Sequence, residues 1–345
     1  MMLRTALSFE RPAELQATTP PEARGLQRDE VRLMVSTPEG HAHTVFQRLD
    51  EHLRPGDLLV VNRSATIPAS LPATAALGAF RLNLSTCYGG GLWLAEPRWS
   101  AGRPGPLPLE RGETIAVAGT QATTVGPHPG LPRLWFVRLD AAVERLMWRM
   151  GSPIRYGYVD TAYPLAMYQT IFARQAGSAE MPSAGRPFTR RVLERLAARG
   201  VEFASIVLHT GVSSLEVENE RVEEHPMYAE PFQVPAATAD AVNRARQSGR
   251  RVIAVGTTVV RALETAWDGC KVRSAQGFTS IFIHPDRGVQ TVDGLISGFH
   301  DPLASHLAML YAVVGEESVR SAYAEAVRQR YLWHEFGDSH LLLRR

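Results

Sequence analysis

The stretch RRVIAVGTTVVRALE, residues 250–264, decides the fold of this chain. Residues 252–255 form a short apolar run rich in β-branched side chains, which predicts a buried strand. Gly256 permits a tight reversal, and the hydroxyls of Thr257 and Thr258 can cap a helix that begins there. The sequence therefore predicts a strand, a glycine turn and a helix, which together form the basic unit of an α/β protein.

The same turn is a candidate ligand site. The N–H groups of the first helical turn have no partner within the helix, and the helix dipole favours a carboxylate, a phosphate or another oxygen-rich group there. Arg261 follows on the same helix and can add a guanidinium group. Strand, turn and helix units occur throughout α/β proteins, so structural packing alone also explains the motif.

Two further segments place polar residues and glycines beside an apolar run. MPSAGRPFT, residues 181–189, precedes an evident amphipathic helix that stops at Gly200. His209, Thr210 and Gly211 follow a predicted buried strand over residues 203–208. Because open α/β sheets bind ligands at the carboxyl ends of their strands, both segments are predicted ligand loops.

Composition places the chain among ordinary soluble proteins. It has 345 residues, of which 45% are hydrophobic and 21% charged, and this length allows two domains. We find no apolar run of membrane-spanning length and no secretory signal pattern, so we expect a cytoplasmic protein without a membrane partner. Cys87 and Cys270 offer neither metal-ligand spacing nor a disulfide framework, so we expect no metal. A formal net charge of +2 is compatible with an RNA partner without requiring one.

The pattern of apolar residues, glycines and prolines changes in the second quarter of the sequence. Residues 71–139 contain short apolar segments separated by glycine and proline, a pattern typical of a small β module. Helices and strands alternate elsewhere, with predicted helices over residues 143–150, 167–176 and 322–337. The predicted fold class is α/β: a discontinuous α/β domain of residues 1–70 and 141–345, interrupted by a β domain of residues 71–140.

Several segments, in one order along nearly the whole chain, resemble the S-adenosylmethionine:tRNA ribosyltransferase-isomerase family of queuosine biosynthesis. They are PGDLLVVNRSATIPASL, YQTIFARQAGSAEMPSAGRPFT, VEFASIVLHTGVSSLEV, VEEHPMYAEPFQV, RRVIAVGTTVVRALE, GFTSIFIHP, VDGLISGFHDPLASHLAML and AYAEAVRQRYLWHEFGD. The resemblance implies an α/β domain with an inserted, smaller β-barrel-like domain, in agreement with the change of pattern in the second quarter of the sequence.

The resemblance also implies a reaction. Members of this family use S-adenosylmethionine as a co-substrate that donates its ribose to 7-aminomethyl-7-deazaguanine in tRNA. They form epoxyqueuosine and release adenine and methionine. A sulfonium acidifies the adjacent 5′ carbon, so a positioned base can remove a proton and the resulting ylide can expel adenine. S-adenosylmethionine and tRNA are therefore the expected partners.

Three residues are candidates for the acid–base chemistry. His209 is the first choice, because a histidine at the carboxyl end of a strand can face a cleft and titrate near neutrality. His225 and Glu230 lie in EEHPMYAE, where they can hold the ribose diol or balance the sulfonium charge. A hydrogen-bonded core histidine and a solvated acidic surface are the competing explanations.

The candidate substrate contacts lie in the predicted ligand loops and in two family segments. Gly256, Thr257, Thr258 and Arg261 are predicted to receive the methionine carboxylate or a phosphate of the acceptor. The other candidates are Asn62, Arg63, Ser183, Ala184, Gly185, Thr210, Gly211, Asp293 and His300. Asp293 can equally cap a turn of its own backbone.

Departures from the family pattern fall in these same loops. The usual run N-D-T-R-V-I-P-A-R-L appears as NRSATIPASL, and the usual P-T-A-G-L-H-F-T appears as PSAGRPFT. The residues that differ in charge or shape are Arg63, Ala65, Arg186, Pro187, Ser213 and Ser214. They leave two alternatives open: a paralogue that uses or cleaves S-adenosylmethionine with a small-molecule acceptor, and a non-catalytic sensor of a nucleoside or RNA.

Overall fold

The structure is a computed structural model that describes residues 2–99, 107–139, 143–159, 161–212 and 216–344. Its strands are β1 (Arg32–Thr37), β2 (Gly40–Val45), β3 (Leu58–Asn62), β4 (Ser64–Thr66), β5 (Ser70–Ala75), β6 (Gly78–Gly89), β7 (Leu92–Trp99), β8 (Thr114–Val117), β9 (Thr120–His128), β10 (Leu131–Leu139), β11 (Gln175–Ser178), β12 (Glu202–Leu208), β13 (Glu230–Val234), β14 (Val252–Val255), β15 (Ala275–Thr279), β16 (Gly294–Gly298) and β17 (Ser339–Leu343). The α-helices are α1 (Val143–Met150), α2 (Arg190–Ala198), α3 (Ala236–Gln247), α4 (Thr257–Thr265), α5 (Ser305–Val314) and α6 (Glu316–Arg328).

A nine-stranded mixed sheet forms the centre of the α/β part, in the order β15-β13-β12-β3-β14-β16-β17-β1-β2. Its four central strands, β12, β3, β14 and β16, run parallel to one another. β13 and β17 run antiparallel to their neighbours β12 and β16. The carboxyl ends of the parallel strands and the amino ends of β13 and β17 therefore share one edge of the sheet.

Both faces of the sheet are covered at its centre, which explains why β3 and β14 are almost entirely apolar. Leu58 and Val60 of β3 belong to a large core with helices α3, α4 and α5 on one face. Leu59 and Val61 pack on the opposite face with Val192 of α2. Side chains alternate between the faces of a strand, so a strand buried on both sides carries a continuous apolar run.

The second part of the molecule is a closed barrel of the strands β10-β7-β6-β5-β8-β9. These strands lie between Ser70 and Leu139 and enclose a separate apolar core that includes Phe80, Leu82 and Ile115. The predicted fold class, an α/β domain with an inserted small β-barrel-like domain, is thereby confirmed. The exact division at residues 70 and 141 stays a prediction, since residues 140–142 lie outside the described part.

Two predicted helices differ from the structure, and one strand was not predicted. The helix predicted over residues 167–176 is a short 3₁₀ helix, Leu165–Tyr168, followed by the strand β11. The closing helix ends at Arg328, because Arg330 adopts a left-handed φ of 57°, and β17 follows it. The last strand pairs with both β16 and β1 and was not predicted.

Among the described residues, no helix combines the length and the apolar character needed to cross a membrane. Cys87 and Cys270 are both exposed free thiols rather than core residues.

Candidate active site

A cavity of about 200 Å³ lies at the edge of the sheet where the parallel strands end. Its walls come from loops that are far apart in sequence. Among the predicted site residues, those that line it are Ser183, Ala184, Thr210, Glu230, Gly256, Thr257, Thr258, Arg261 and His300. Other lining residues that carry titratable groups are Tyr156, Glu180, Glu216, Tyr228, Asp301, His306, His334 and Glu335.

The glycine turn after β14 forms one wall of the cavity. Gly256 has a φ of 95°, which disfavours residues with a Cβ atom, and a Cβ there would lie 3.4 Å from the Cβ of Ala184. Thr257 and Thr258 open α4 beside it, but neither hydroxyl caps the helix. Instead, Asn62 Nδ2 donates a hydrogen bond of 3.2 Å to Thr258 Oγ1. The turn thus brings the amino end of α4 to the cavity, as predicted. The Thr258 hydroxyl accepts a hydrogen bond from Asn62 instead of capping the helix.

Glu230 and Arg261 form a buried ion pair in the cavity wall. The backbone N–H of Gly211 donates a hydrogen bond of 2.6 Å to Glu230 Oε1. Arg261 also donates from Nε to the Ile281 carbonyl and from Nη2 to the Thr279 carbonyl, each at 3.3 Å. Both charges are engaged within the protein, so neither side chain is a free acid, base or anion receptor.

Thr210 presents a hydroxyl group without a protein partner at the cavity. Its backbone is fixed, because its N–H donates to Ser178 Oγ at 3.0 Å and its carbonyl accepts from the Ala179 N–H at 2.7 Å. The Oγ1 atom makes no hydrogen bond among the described residues, although only 6% of the residue is exposed. A buried hydroxyl in this state is suited to bind a polar ligand group.

Histidines line the side of the cavity beyond β16. The rings of His300 and His306 stack with their centroids 4.6 Å apart, and His300 Nε2 lies 2.8 Å from Ser297 Oγ. Burial lowers the pKa of His300 well below its ordinary value and that of His306 to about 4. Both imidazoles are therefore neutral at pH 7, where they offer hydrogen bonds and flat apolar faces rather than positive charge.

A loop after α6 closes the cavity on the side of β17. His334 has a φ of 75°, and its ring binds the Tyr158 hydroxyl at 2.7 Å and the Asp301 carboxylate. Glu335, the next residue, lies beside Glu180 in the lining. Burial, reinforced by the negative charge of Glu180, raises the pKa of the Glu335 carboxyl group to about 8.

The structure places His209 and His225 outside this lining. His209 Nδ1 lies 2.7 Å from Ser64 Oγ, and its ring packs against Gly177, where a Cβ atom would overlap it. Burial lowers the pKa of His209. His225 is buried behind Phe282 with ring centroids 5.3 Å apart, and burial with the nearby Arg133 lowers its pKa to about 4. Both rings therefore favour the neutral form.

Other predicted residues also lie away from the cavity. Asn62 holds the ends of β3 and β12 together, because it donates to the Leu208 carbonyl at 2.9 Å and accepts from the Leu208 N–H at 3.1 Å. Arg63 accepts at its carbonyl from the N–H groups of Arg174 and Gln175. These contacts connect strands and are structural in kind.

Asp293 lies at the opposite edge of the sheet. Its carboxylate accepts from the Val252 N–H at 3.0 Å, and its own N–H donates to the Val252 carbonyl at 2.7 Å. It thus ties together the amino ends of β14 and β16, a contact between two strands that differs from the local turn cap considered from the sequence. Gly185 and Gly211 pack behind the lining, Gly185 on Phe172 and Gly211 on Tyr228.

The described residues that depart from the family pattern do not line the cavity. Arg186 is buried, pairs with Glu22 and lies 5.0 Å from the ring centre of Phe336. Pro187 lines a small neighbouring cavity of about 20 Å³. Ala65 pairs with Ala176 between β4 and β11. Ser213 and Ser214 lie outside the described residues.

One cluster in the described part has metal-ligand geometry, and it does not line the cavity. Ligand atoms of Glu223, His284 and Asp286 lie within 4.8 Å of one another. The Glu223 carboxylate already accepts a hydrogen bond of 2.5 Å from the Met2 N–H. The expectation that no metal is needed stays a prediction.

These features define a class of protein: an α/β domain with an inserted β-barrel, whose cavity at the strand ends combines apolar walls with hydroxyl, imidazole and carboxyl groups. A family model described as queuosine biosynthesis protein matches residues 4–342. The S-adenosylmethionine:tRNA ribosyltransferase-isomerase of an Anaeromyxobacter species is 38% identical to this chain, and the match covers 97% of each protein. That of Thermus thermophilus is 39% identical, and the match covers 92% of this chain and 93% of the relative.

A crystal structure of S-adenosylmethionine tRNA ribosyltransferase from Thermotoga maritima has the same fold, with a TM-score of 0.55 and 29% identity over 98% of this chain and 100% of that one. The chain belongs to the S-adenosylmethionine:tRNA ribosyltransferase-isomerase family, the queuosine biosynthesis enzymes. The predicted resemblance is thereby confirmed, and neither alternative function is favoured by these relatives.

Sequence reasoning missed several lining residues, including Glu180, His306, His334 and Glu335. Glu335 lies within the helix predicted over residues 322–337, so its segment was treated as helix rather than loop. The glycine and aspartate of HEFGD, which favour turns, are the signal that could have identified the loop.

Proposed function

We propose that the cavity binds S-adenosylmethionine and that the chain transfers its ribosyl group to 7-aminomethyl-7-deazaguanine in tRNA. The products are epoxyqueuosine in tRNA, adenine and methionine. One observation carries the proposal: Ser183, the turn from Gly256 to Arg261, and His300 come from distant family segments and line one cavity. The names of the relatives supply the donor and the acceptor nucleic acid.

The lining offers groups suited to each part of the donor. The N–H groups at the start of α4, at Thr257 and Thr258, favour the methionine carboxylate through hydrogen bonding and the helix dipole. Arg261 supports this wall but does not bind the carboxylate, because Glu230 already neutralises it. The hydroxyls of Thr210 and Ser183 are placed to bind the ribose diol.

The remaining requirement is acid–base chemistry at the sugar. A sulfonium stabilises negative charge on the adjacent 5′ carbon, so a base in the cavity can remove a proton there. The acceptor base lies in the single-stranded anticodon loop, where it is accessible without opening a duplex. We place the reaction in the cytoplasm with its tRNA substrate, and we propose that it needs no metal.

Incubation of the purified protein with S-adenosylmethionine tests this function. Adenine and methionine release should require tRNA that carries 7-aminomethyl-7-deazaguanine, with tRNA carrying guanine as the matched control. The mass of the modified nucleoside should match epoxyqueuosine, and EDTA should leave the rate unchanged. Adenine release without tRNA would instead support a paralogue with another acceptor, and binding without release would support a sensor.

A further inference from the structure

Glu335 is a half-buried residue whose carboxyl group the contacts described above leave unused. It lines both the main cavity and the small cavity beside it. Its Oε1 atom is buried and has no hydrogen-bond partner among the described residues. Burying a carboxyl oxygen without a donor costs free energy, so a fold that keeps one next to a substrate cavity indicates a role in binding or chemistry.

The loop that carries Glu335 is held in place on both sides. The Asp338 carboxylate accepts a hydrogen bond of 2.8 Å from the Leu332 N–H, and the Gly337 N–H donates to the His334 carbonyl at 2.9 Å. His334 adopts a positive φ, a conformation that residues with a Cβ atom adopt rarely. Such a conformation persists only where the surrounding contacts enforce it, so these contacts hold the backbone of the loop in place beside the cavity.

We propose that Glu335 is the catalytic acid–base that carries a proton from the 5′ carbon of S-adenosylmethionine to the departing adenine. This inference rests on the proposed function. His209 and His225 lie outside the cavity lining. His300 and His306 line it, but burial keeps both imidazoles neutral and weakly basic. The lining carboxylate of Asp301 pairs with Arg11 and His334, whereas the buried Oε1 atom of Glu335 has no hydrogen-bond partner among the described residues.

The proton balance of this step is closed. The C5′–H bond breaks, the proton forms an O–H bond with the Glu335 carboxylate, and the electron pair stays on the carbon beside sulfur. That pair forms a C4′–C5′ double bond as the C4′–O4′ bond breaks, and the ring oxygen forms a carbonyl with C1′. The glycosidic electron pair leaves with adenine, which takes the proton from Glu335 and regenerates the carboxylate. The acceptor amine can then add to the carbonyl carbon.

The charges around Glu335 suit a group that must both take and return a proton. Glu180 raises its pKa, in the same direction as burial, whereas Arg186 lowers it, and the net effect is a pKa of about 8. The phenol groups of Tyr158 and Tyr168 also lie close enough to interact: burial raises their pKa values, and the Glu335 charge raises them further. A bound sulfonium adds a positive charge, which favours the carboxylate and prepares the base.

Glu335→Gln tests the proposal, because it removes the base while preserving the shape of the side chain. With S-adenosylmethionine and acceptor tRNA, kcat for adenine release should fall about 10²- to 10⁴-fold, the usual contribution of a general acid–base. The affinity for S-adenosylmethionine by calorimetry and the melting temperature should change little. Glu317→Gln on the exposed start of α6 is the matched control and should keep wild-type activity. A fully active, folded E335Q protein overturns the proposal.

A second measurement uses the wild-type protein and so does not depend on any variant folding. Binding of S-adenosylmethionine at pH 7 should release protons, seen as a dependence of the binding enthalpy on buffer ionisation. S-adenosylhomocysteine, which lacks the sulfonium charge, should release fewer. Equal release for both ligands overturns the proposal while leaving the ribosyl transfer intact. Wild-type protein that binds S-adenosylmethionine but forms no product with acceptor tRNA overturns the proposed function, and this inference with it.

Discussion

Glu230 at the start of β13 and Arg261 in α4 form a buried ion pair that joins the edge of the sheet to the cavity helix. Each residue is almost fully buried, with 1% and 7% of its surface exposed. Removing one partner of such a pair leaves an uncompensated charge in a medium that solvates it poorly. The pair is therefore expected to fix the helix position, while the ligand binds to groups around it.

We expect Arg261→Met to lower the free energy of unfolding by about 3–5 kcal/mol, because Glu230 would be left buried and unpaired. Adding Glu230→Gln to this variant should recover part of the loss, since the stranded charge is gone. Urea unfolding of the wild type, both single variants and the double variant measures this coupling. Additive effects of the two substitutions would contradict a direct ion pair.

The contact between the barrel and the α/β part depends on Gly211. A Cβ atom there would overlap the Ser85 hydroxyl on β6 and lie 2.5 Å from the Tyr228 hydroxyl. Gly211→Ala should therefore lower the free energy of unfolding by roughly 1–3 kcal/mol, the usual cost of overpacking. Gly157→Ala is the matched control, because nothing lies within 4 Å of its added methyl group. Equal melting temperatures for the two variants would refute the close approach.

The local part of this architecture could be predicted from the sequence. The strand β14, the turn at Gly256 and helix α4 follow from β-branched residues, a glycine and helical spacing over a short segment. The barrel strands were visible as apolar runs between glycines and prolines. The resemblance to the family supplied the function, which no local pattern could have done.

What sequence reasoning could not supply was the direction and order of the strands. Asp293 and His300 lie in one family segment, VDGLISGFH, so both were predicted at the site; in the structure they flank the strand β16. They lie at opposite edges of the sheet, and His300 lines the cavity while Asp293 does not. Likewise, Glu335 reaches the cavity because of the positive φ of His334 and the pairing of β17, which depend on tertiary contacts.

The hydroxyl of Thr210 should bind substrate rather than stabilise the fold. It lines the cavity and has no hydrogen-bond partner among the described residues. Thr210→Val removes the hydroxyl without changing the shape, so KM for S-adenosylmethionine should rise roughly 3- to 10-fold, the value of one neutral hydrogen bond. The melting temperature should stay nearly constant. Thr170→Val is the matched control, because that hydroxyl also lacks a described partner but lies outside the cavity lining. A rise in KM for both variants would argue against a direct contact.

The pH midpoint of turnover should shift in opposite directions when the charge of Glu180 or that of Arg186, both close to Glu335, is removed. The carboxylate is the active base, so kcat/KM for S-adenosylmethionine should rise with pH through the pKa of the free protein, about 8. Glu180 raises this pKa and Arg186 lowers it. Glu180→Gln should therefore shift the midpoint of the rise to lower pH, and Arg186→Leu should shift it to higher pH.

The opposite signs make this measurement more specific than a loss of activity. A variant that merely disturbs the cavity lowers the rate at every pH and leaves the midpoint in place. The profile is recorded from pH 6 to 10 with saturating acceptor tRNA, and each variant is compared with the wild type at matched melting temperature. Shifts of the same sign, or none, would mean that the group limiting turnover is not the one between Glu180 and Arg186. Opposite shifts assign the titration to Glu335. Among the described groups that titrate near neutral pH, it is the one whose pKa Glu180 raises and Arg186 lowers.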